Sequence, residues 1–250
     1  MKETIATIPL MNAFHADDEC PFCYLEREAE QHAISFILGS AYMEDDIRME
    51  TNKIGFCTHH VKQLYKHQNR LGLALILHTH MQRTNRDLED LLSSDKPVKK
   101  GLFAKKTENA SPVTEYIENL NHSCYICNRI DRIFARYLAT IYHCYEHDEE
   151  FRRKFAASKG FCTKHFGMLY EGAPSSLSGK RLPEFIKTLN EVYLTNMKRV
   201  TDDLEWFTDR NVTGVQTCAL PIYRNEDKPW KNSKDALPRS MNKTNSVLPQ

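Results

Sequence analysis

The sequence predicts an all-α fold that contains two copies of one helical unit. Apolar residues recur at helical spacing along most of the 250 residues, and no segment shows the alternation of apolar and polar residues that is typical of a strand. A cysteine–histidine motif occurs twice, beginning at Cys20 and at Cys124, with an offset of 104 to 105 residues between the copies. Such a repeat indicates an internal duplication. We therefore expect two related units whose long helices pack together, followed by a mostly irregular C-terminal tail.

Composition and charge restrict the classes of function. Hydrophobic residues make up 41% of the chain and charged residues 27%, as in an ordinary globular protein, and the formal net charge is +1. A nearly neutral chain creates no global field that attracts nucleic acid or an anionic membrane. The longest apolar run, Leu71–Leu77, is far shorter than the ~20 residues that span a bilayer. We expect no membrane or nucleic-acid partner, and a protein partner stays open.

The N-terminal residues lack the apolar core and the cleavage site of a secretory signal. We therefore expect a cytoplasmic protein in a reducing compartment. In that environment paired cysteines are more often metal ligands or redox centres than structural disulfides.

The duplicated motif consists of a CxxC pair followed by a CxxH pair. Each CxxH pair is preceded by Gly-Phe, and over the eleven positions that begin at this glycine, 55–65 and 160–170, the copies share seven identical residues. The first copy contains Cys20, Cys23, Cys57 and His60, and the second contains Cys124, Cys127, Cys162 and His165.

The repeat also separates candidate ligands from neighbours of the same type. Two adjacent histidines, His59 and His60, end the first motif, but only His60 has a histidine counterpart, because residue 59 aligns with Lys164. Cys144 begins another CxxH sequence, yet the first copy has Ser40 at the aligned position. We therefore exclude His59 and Cys144, and we expect Cys144 to be a small buried apolar residue on a helix.

Three cysteines and one histidine form a common ligand set for structural zinc, which binds four ligands in a tetrahedron. In both copies the CxxC pair precedes an amphipathic helix, where exposed N–H groups and the helix dipole favour thiolate. The 33 or 34 residues between the two pairs fit a helix and a short second helix. We predict one zinc site within each copy and two zinc ions per chain. Because Cys3His sets also hold some iron–sulfur clusters, that alternative stays open.

The first copy defines a unit over residues 1–92. Its last part, 58–92, has the periodicity of one long helix. The polar and basic segment that follows, 93–110, has the composition of an interdomain linker.

The second copy defines a unit over residues 111–211. Ser111 and Pro112 suit the N-cap and the first position of a helix. A long helix is predicted over about 178–210, and residues 223–250 form a polar C-terminal tail.

Residues 212–222 differ from the charged segments on either side. They read Val-Thr-Gly-Val-Gln-Thr-Cys-Ala-Leu-Pro-Ile, and back-translation yields a common short-read sequencing adapter. We interpret this segment as a contaminating insertion and do not use it to predict the fold. The alternative is a native loop.

The motifs favour a binding or regulatory module over an enzyme. A catalytic zinc site usually keeps one position open for water, whereas four matched ligands fill each predicted site. No phosphate-binding glycine loop occurs. The principal alternative is a thiol redox protein or sensor, since Cys20-Pro-Phe-Cys23 is similar to a glutaredoxin-type active site. That motif needs a βαβ context, and the preceding residues contain no convincing strand.

Several segments together resemble an uncharacterised bacterial family of unknown function. The resemblance covers the chain apart from 212–222 and implies that the tail is native, but it implies no activity. It rests on Tyr42–Asn52, Asn69–Leu75, Gly160–His165, Asp203–Phe207 and Asn232–Arg239.

Overall fold

The computed structural model describes residues 7–94 and 111–212, which contain ten α-helices, one short 3-10 helix (Ala41–Met43) and no strand. The predicted all-α class is confirmed for these residues. In chain order the helices are α1 (Thr7–His15), α2 (Pro21–Leu38), α3 (Asp45–Ile54), α4 (Thr58–Lys66), α5 (Arg70–Ser94), α6 (Pro112–Asn121), α7 (Tyr125–His147), α8 (Glu149–Ala157), α9 (Thr163–Ser176) and α10 (Arg181–Val212).

Three predicted segments lie wholly or mostly outside the described residues. They are the linker beyond its first two residues, the adapter-like segment beyond its first residue, and the C-terminal tail. Among the helices that are described, none combines the length and the apolar character that a membrane crossing requires.

The two copies of the motif lie on the same succession of helices. In the first copy the long α2 is followed by the short α3, and α4 begins directly after Cys57. In the second copy the long α7 is followed by the short α8, and α9 begins directly after Cys162. This succession confirms the helix and the short second helix that were predicted between the two pairs of each copy.

The predicted start of a helix at Ser111 and Pro112 and the predicted long C-terminal helix are both observed. The Ser111 hydroxyl accepts a hydrogen bond from the backbone N–H of Thr114 at 3.2 Å, and Pro112 occupies the first turn of α6. The long helix predicted over 178–210 is α10.

The single helix predicted over 58–92 is wrong in one respect, because two helices, α4 and α5, cover this range. The break ends at Asn69, whose Oδ1 accepts a hydrogen bond from the backbone N–H of Gly72 at 2.8 Å, as an N-cap does. The Asn69 amide also donates to the carbonyl of Leu38 at 2.8 Å. Apolar periodicity continues across the break, so the pattern alone does not reveal it.

The described residues form two compact units. Unit 1 contains those up to Arg27 together with those from Phe134 onward, and unit 2 contains those from Glu28 to Ile133. Both boundaries fall within helices, α2 and α7. The division of the sequence into units over 1–92 and 111–211 stays a prediction.

Aromatic side chains dominate the core of unit 1. Phe155 is fully buried, and its ring lies 5.3–5.4 Å from the rings of Tyr145, Phe161 and Phe185. Burial of one such ring stabilises a fold by roughly 1.5–3 kcal/mol. Because Phe161 belongs to the Gly-Phe-Cys sequence, this core fixes the position of the neighbouring Cys162.

The core of unit 2 forms where α3 packs against α5. Leu73 and Ile76 of α5 are buried. His80, one turn further along α5, donates from Nδ1 to the carbonyl of Asn52 at 2.9 Å. This bond places the imidazole of His80 against Gly55, the residue that ends α3.

The backbone conformation at the first Gly-Phe-Cys sequence explains why its first residue is a glycine. Gly55 has φ 67° and ψ −156°, a region that is essentially restricted to glycine. Its N–H donates to the carbonyl of Thr51, and its carbonyl accepts from the N–H of Tyr125, both at 2.9 Å. Gly160, at the same place in the second copy, also has a positive φ of 80°.

We expect Gly55→Ala to lower the free energy of unfolding by about 1–3 kcal/mol, because the backbone conformation disfavours any side chain. A Cβ there would also lie 2.5 Å from Nε2 of His80. Equilibrium unfolding in urea measures the change. The control is Gly167→Ala within α9, where a Cβ meets no atom within 4 Å and should stabilise the helix by up to about 1 kcal/mol. Equal stabilities for the two variants would contradict a special backbone role for Gly55.

Candidate metal centres

The described residues contain two groups of three cysteines and one histidine that could hold a metal ion. In each group, one sulfur or nitrogen atom of every residue lies within 4.8 Å of the corresponding atoms of the other three. None of the seven cysteines in the described ranges forms a disulfide. Cluster A, in unit 1, consists of Cys20, Cys23, Cys162 and His165, and cluster B, in unit 2, consists of Cys57, His60, Cys124 and Cys127.

All eight predicted residues lie in these clusters, but the predicted pairing of the motifs is wrong. Each cluster combines the CxxC pair of one copy with the CxxH pair of the other copy. The two helices between the pairs of each copy differ in length. With a rise of 1.5 Å per residue, α2 is about 27 Å long and α3 about 15 Å. In the second copy α7 is about 34 Å long and α8 about 14 Å.

In cluster A the polar atoms surround a small central space. Nδ1 of His165 lies 3.2 Å from Sγ of Cys162, 3.4 Å from Sγ of Cys20 and 3.5 Å from Sγ of Cys23. The thiol of Cys23 donates to Sγ of Cys162 at 3.6 Å.

Cluster B repeats this arrangement with a slightly wider sulfur spacing. Nδ1 of His60 lies 3.2 Å from Sγ of both Cys57 and Cys124, and 3.4 Å from Sγ of Cys127. The sulfurs of Cys57 and Cys127 are 4.0 Å apart.

Helix starts direct these side chains toward each cluster. Cys57 and Cys162 are the N-cap residues of α4 and α9, yet neither side chain caps its helix, so both sulfurs face the clusters. The ligand histidines follow three residues later, one turn into the same helices. In the CxxC pair of cluster A, the backbone N–H of Cys23 donates to Sγ of Cys20 at 3.4 Å.

Backbone contacts support the exchanged pairing in unit 2. The hydroxyl of Ser123 donates to the carbonyl of Ile54 at 2.6 Å. The N–H of Tyr125 donates to the carbonyl of Gly55 at 2.9 Å. These two bonds hold the residues on either side of Cys124 against the segment that precedes Cys57.

A polar contact has the same role in unit 1. The ammonium group of Lys159, which precedes the second Gly-Phe-Cys sequence, donates to the carbonyl of Asp17 at 3.0 Å. The same group lies 2.8 Å from the carboxylate of Asp17, three residues before Cys20. It therefore ties together the segments that carry the two halves of cluster A.

Hydrogen bonding concentrates negative charge on one sulfur of cluster A. Bonds with Cys20 and Cys23 hold the pKa of the Cys162 thiol far below its ordinary value. Bonding to Cys162 and Cys20 raises the pKa of Cys23. Burial alone would lower the pKa of His165, but hydrogen bonds and charge interactions with Cys162 and Cys20 raise it to about 9.

In cluster B, burial shifts the pKa values of three groups toward their neutral forms. Burial raises the pKa of the Cys124 thiol, and burial together with the nearby Cys124 raises the pKa of Cys127. Burial also lowers the pKa of His60, although Glu30 opposes this effect. A neutral imidazole offers a lone pair, which is the form that binds metal.

A glutamate stands behind each ligand histidine, and neither glutamate was predicted from the sequence. Nε2 of His60 lies 3.1 Å from Oε1 of Glu30. Nε2 of His165 is buried without a hydrogen-bond partner in the described part of the chain, and it lies 3.5 Å from Oε2 of Glu26. Carboxylates in this position orient metal-binding imidazoles. A signal existed, since Cys23, Glu26 and Glu30 have the i, i+3, i+7 spacing of one helix face.

The two residues that the repeat excluded lie outside both clusters. Cys144 is buried on α7, as predicted. His59 lies at the surface, where its Nε2 is 2.9 Å from Oε1 of Glu30. The choice of His60 over its neighbour thus agrees with the geometry.

The family model described as "Family of unknown function (DUF6062)" matches residues 1–250. The chain therefore belongs to this family, and the resemblance to a family of unknown function is confirmed. No curated protein and no solved structure matches the chain. The function of the chain must therefore follow from the chemistry of the two clusters.

We expect Glu26→Gln to weaken metal binding at cluster A by about 10- to 100-fold, because the carboxylate orients the imidazole of His165. Competition with a chromophoric chelator measures this affinity in a Cys57→Ser background, where cluster A alone keeps its four ligands. Glu28→Gln, two residues further along α2, is the matched control. An unchanged affinity in the Glu26 variant would exclude a supporting role for this carboxylate.

Proposed function

We propose that this chain is a structural zinc protein with one zinc ion in each cluster, and that the scaffold built around them acts as a binding or regulatory module. The distances between the ligand atoms carry the zinc assignment. This assignment does not depend on any single residue, because the ligand atoms of two separate clusters have similar spacing.

A tetrahedral zinc site fixes the separations of its ligand atoms. With Zn–S bonds of about 2.3 Å and a Zn–N bond of about 2.0 Å, two sulfurs lie about 3.8 Å apart and a sulfur lies about 3.5 Å from the nitrogen. The sulfur–nitrogen distances in the clusters are 3.2–3.5 Å. The sulfurs of Cys23 and Cys162 are 3.6 Å apart, those of Cys57 and Cys127 are 4.0 Å apart, and every other pair of ligand atoms in one cluster lies within 4.8 Å. This spacing supports a single four-coordinate ion in each cluster.

The composition of the sites supports a structural role. Four protein ligands complete the coordination of zinc, whereas catalytic zinc usually has three protein ligands and a water molecule. In zinc peptides a closed site contributes on the order of 10 kcal/mol to folding. We therefore expect that removal of the metal strongly lowers the melting temperature.

The same spacing counts against an iron–sulfur cluster. In clusters with two or four irons, the protein ligands bind different iron atoms and so stand apart around the cluster. Ligand atoms that all lie within 4.8 Å of one another favour one ion.

Burial counts against thiol redox chemistry. A reactive CxxC motif exposes a cysteine of lowered pKa. Here Cys20 is fully buried, and the partly exposed Cys23 has a raised pKa. The described residues also lack the strands that surround a glutaredoxin-type motif.

A protein is the partner that the surface favours. The net charge of +1 creates no field for polyanions. The long helix α5 exposes large apolar side chains, with Leu71, Met81 and Leu92 between 61% and 70% accessible. These side chains supply apolar area that a protein partner would bury. We place this interaction in the cytoplasm, where thiols stay reduced and available to zinc.

Elemental analysis of protein purified without added metal tests the zinc assignment. We expect about two zinc ions per chain, and about one in Cys162→Ser and in Cys57→Ser, since each substitution removes one ligand from one cluster. Cys144→Ala is the control, because this buried cysteine belongs to neither cluster.

Two results would contradict the proposal. One is wild-type protein that contains iron and acid-labile sulfide in place of zinc. The other is metal-free protein in which Cys20 and Cys23 readily form a disulfide, which would move the function to thiol chemistry.

A further inference from the structure

We propose that cluster B is an exchangeable zinc site and cluster A a permanent one, and that Glu30 and His59 form an outer pair that accepts zinc as it enters or leaves cluster B. This inference rests on the proposed function, because it requires zinc in both clusters. It adds a metal-transfer activity to a protein whose sites would otherwise be only structural.

The first observation is the different exposure of the ligands. In cluster A, Cys20, Cys162 and His165 are at most 2% accessible, and only Cys23 is partly exposed. In cluster B two sulfurs, those of Cys57 and Cys127, belong to partly exposed residues. Zinc leaves a thiolate site when an entering ligand or a proton reaches a sulfur. Cluster B has two cysteines that are partly accessible to such groups, and cluster A has one.

The second observation is the packing around each ligand histidine. The rings of Phe22 and Phe134, 0% and 3% accessible, each lie 5.6 Å from the ring of His165. The ring next to His60 is instead that of His59, at 5.1 Å, and the side chain of His59 is 60% exposed. An exposed imidazole therefore lies next to His60 of cluster B, whereas buried phenyl rings lie next to His165 of cluster A.

The third observation is the outer pair itself. Oε1 of Glu30 lies 2.9 Å from Nε2 of His59 and 3.1 Å from Nε2 of His60. These three groups lie within 4.8 Å of one another, which is close enough for them to share an ion. Carboxylate oxygen and imidazole nitrogen are both zinc ligands. The pair thus provides two metal-binding groups between cluster B and solvent.

The corresponding pair behind cluster A, Glu26 and Lys164, cannot bind zinc in the same way. The residue that aligns with His59 is Lys164, whose ammonium group lies 2.6 Å from Oε1 of Glu26. A charged ammonium has no lone pair for a metal, and it pairs with the carboxylate that stands behind cluster A. A lysine in place of His59 therefore removes one zinc-binding group beside cluster A.

The exchange is a ligand substitution without electron transfer. A Zn–S bond to Cys57 or Cys127 breaks, and the released thiolate takes up a proton from water. Water then replaces the remaining protein ligands as the ion leaves Nδ1 of His60, and the Glu30 carboxylate and Nε2 of His59 bind the ion on the Nε2 side of the His60 ring. The ion then passes to an external thiol or chelator, or returns by the reverse steps.

Zinc release from the two-zinc protein to excess 4-(2-pyridylazo)resorcinol tests the proposal. We expect two phases of equal amplitude. The fast phase should persist in Cys162→Ser, which keeps cluster B, and disappear in Cys57→Ser, which keeps cluster A. His59→Lys, which copies residue 164, should slow the fast phase by about tenfold and leave the slow phase unchanged.

The matched control is His32→Lys, the same substitution at an exposed position of α2. It should leave both phases unchanged. A two-zinc protein that releases both ions at one rate, or a fast phase that survives in Cys57→Ser, would overturn this inference and leave the structural zinc proposal intact. A protein without zinc would overturn the proposed function itself. Equal slowing by His59→Lys and His32→Lys would show that the outer pair takes no specific part in zinc exchange.

Discussion

Each cluster joins the CxxC pair of one copy to the CxxH pair of the other copy, and the rest of the fold depends on this exchange. Joining Cys23 to Cys162 closes a separation of 139 residues, whereas Cys57 of the same copy is only 34 residues from Cys23. The longer loop costs only about 1 kcal/mol more in chain entropy. That difference is small, so chain entropy does not prevent the pairing between copies.

The exchanged pairing closes two loops of the chain, and the loop closed by cluster B lies within the loop closed by cluster A. Cluster A joins the segment at Cys20 to the segment at His165, and both segments of cluster B lie between them in sequence. Unit 1 is discontinuous, and cluster A connects its two parts, whereas unit 2 is one continuous stretch. The metals would therefore act on the fold differently. One would tie the N-terminal helix to the C-terminal half, and the other would tie the two ends of an inserted segment.

The duplication made the eight cluster residues predictable, because both copies keep the same residue types at the same spacing. It could not predict the pairing, since an alignment of the two copies is satisfied equally by pairing within a copy and by pairing between copies. Glu26 and Glu30 were missed because the second copy has Ile130 and Phe134 at these positions. The break before α5 was missed because one asparagine cap interrupts the helix without interrupting the apolar pattern. Helix existence thus follows from periodicity, whereas pairing and supporting contacts depend on how the helices pack.

The pairing between copies is the central claim, and zinc content in double variants tests it most directly. Cys57→Ser with Cys124→Ser removes two ligands from cluster B and should leave one tightly bound zinc ion in cluster A. Cys20→Ser with Cys57→Ser removes one ligand from each cluster and should leave no complete site. If the first double variant loses both zinc ions while the second retains one, each copy forms its own site and the exchanged pairing is wrong.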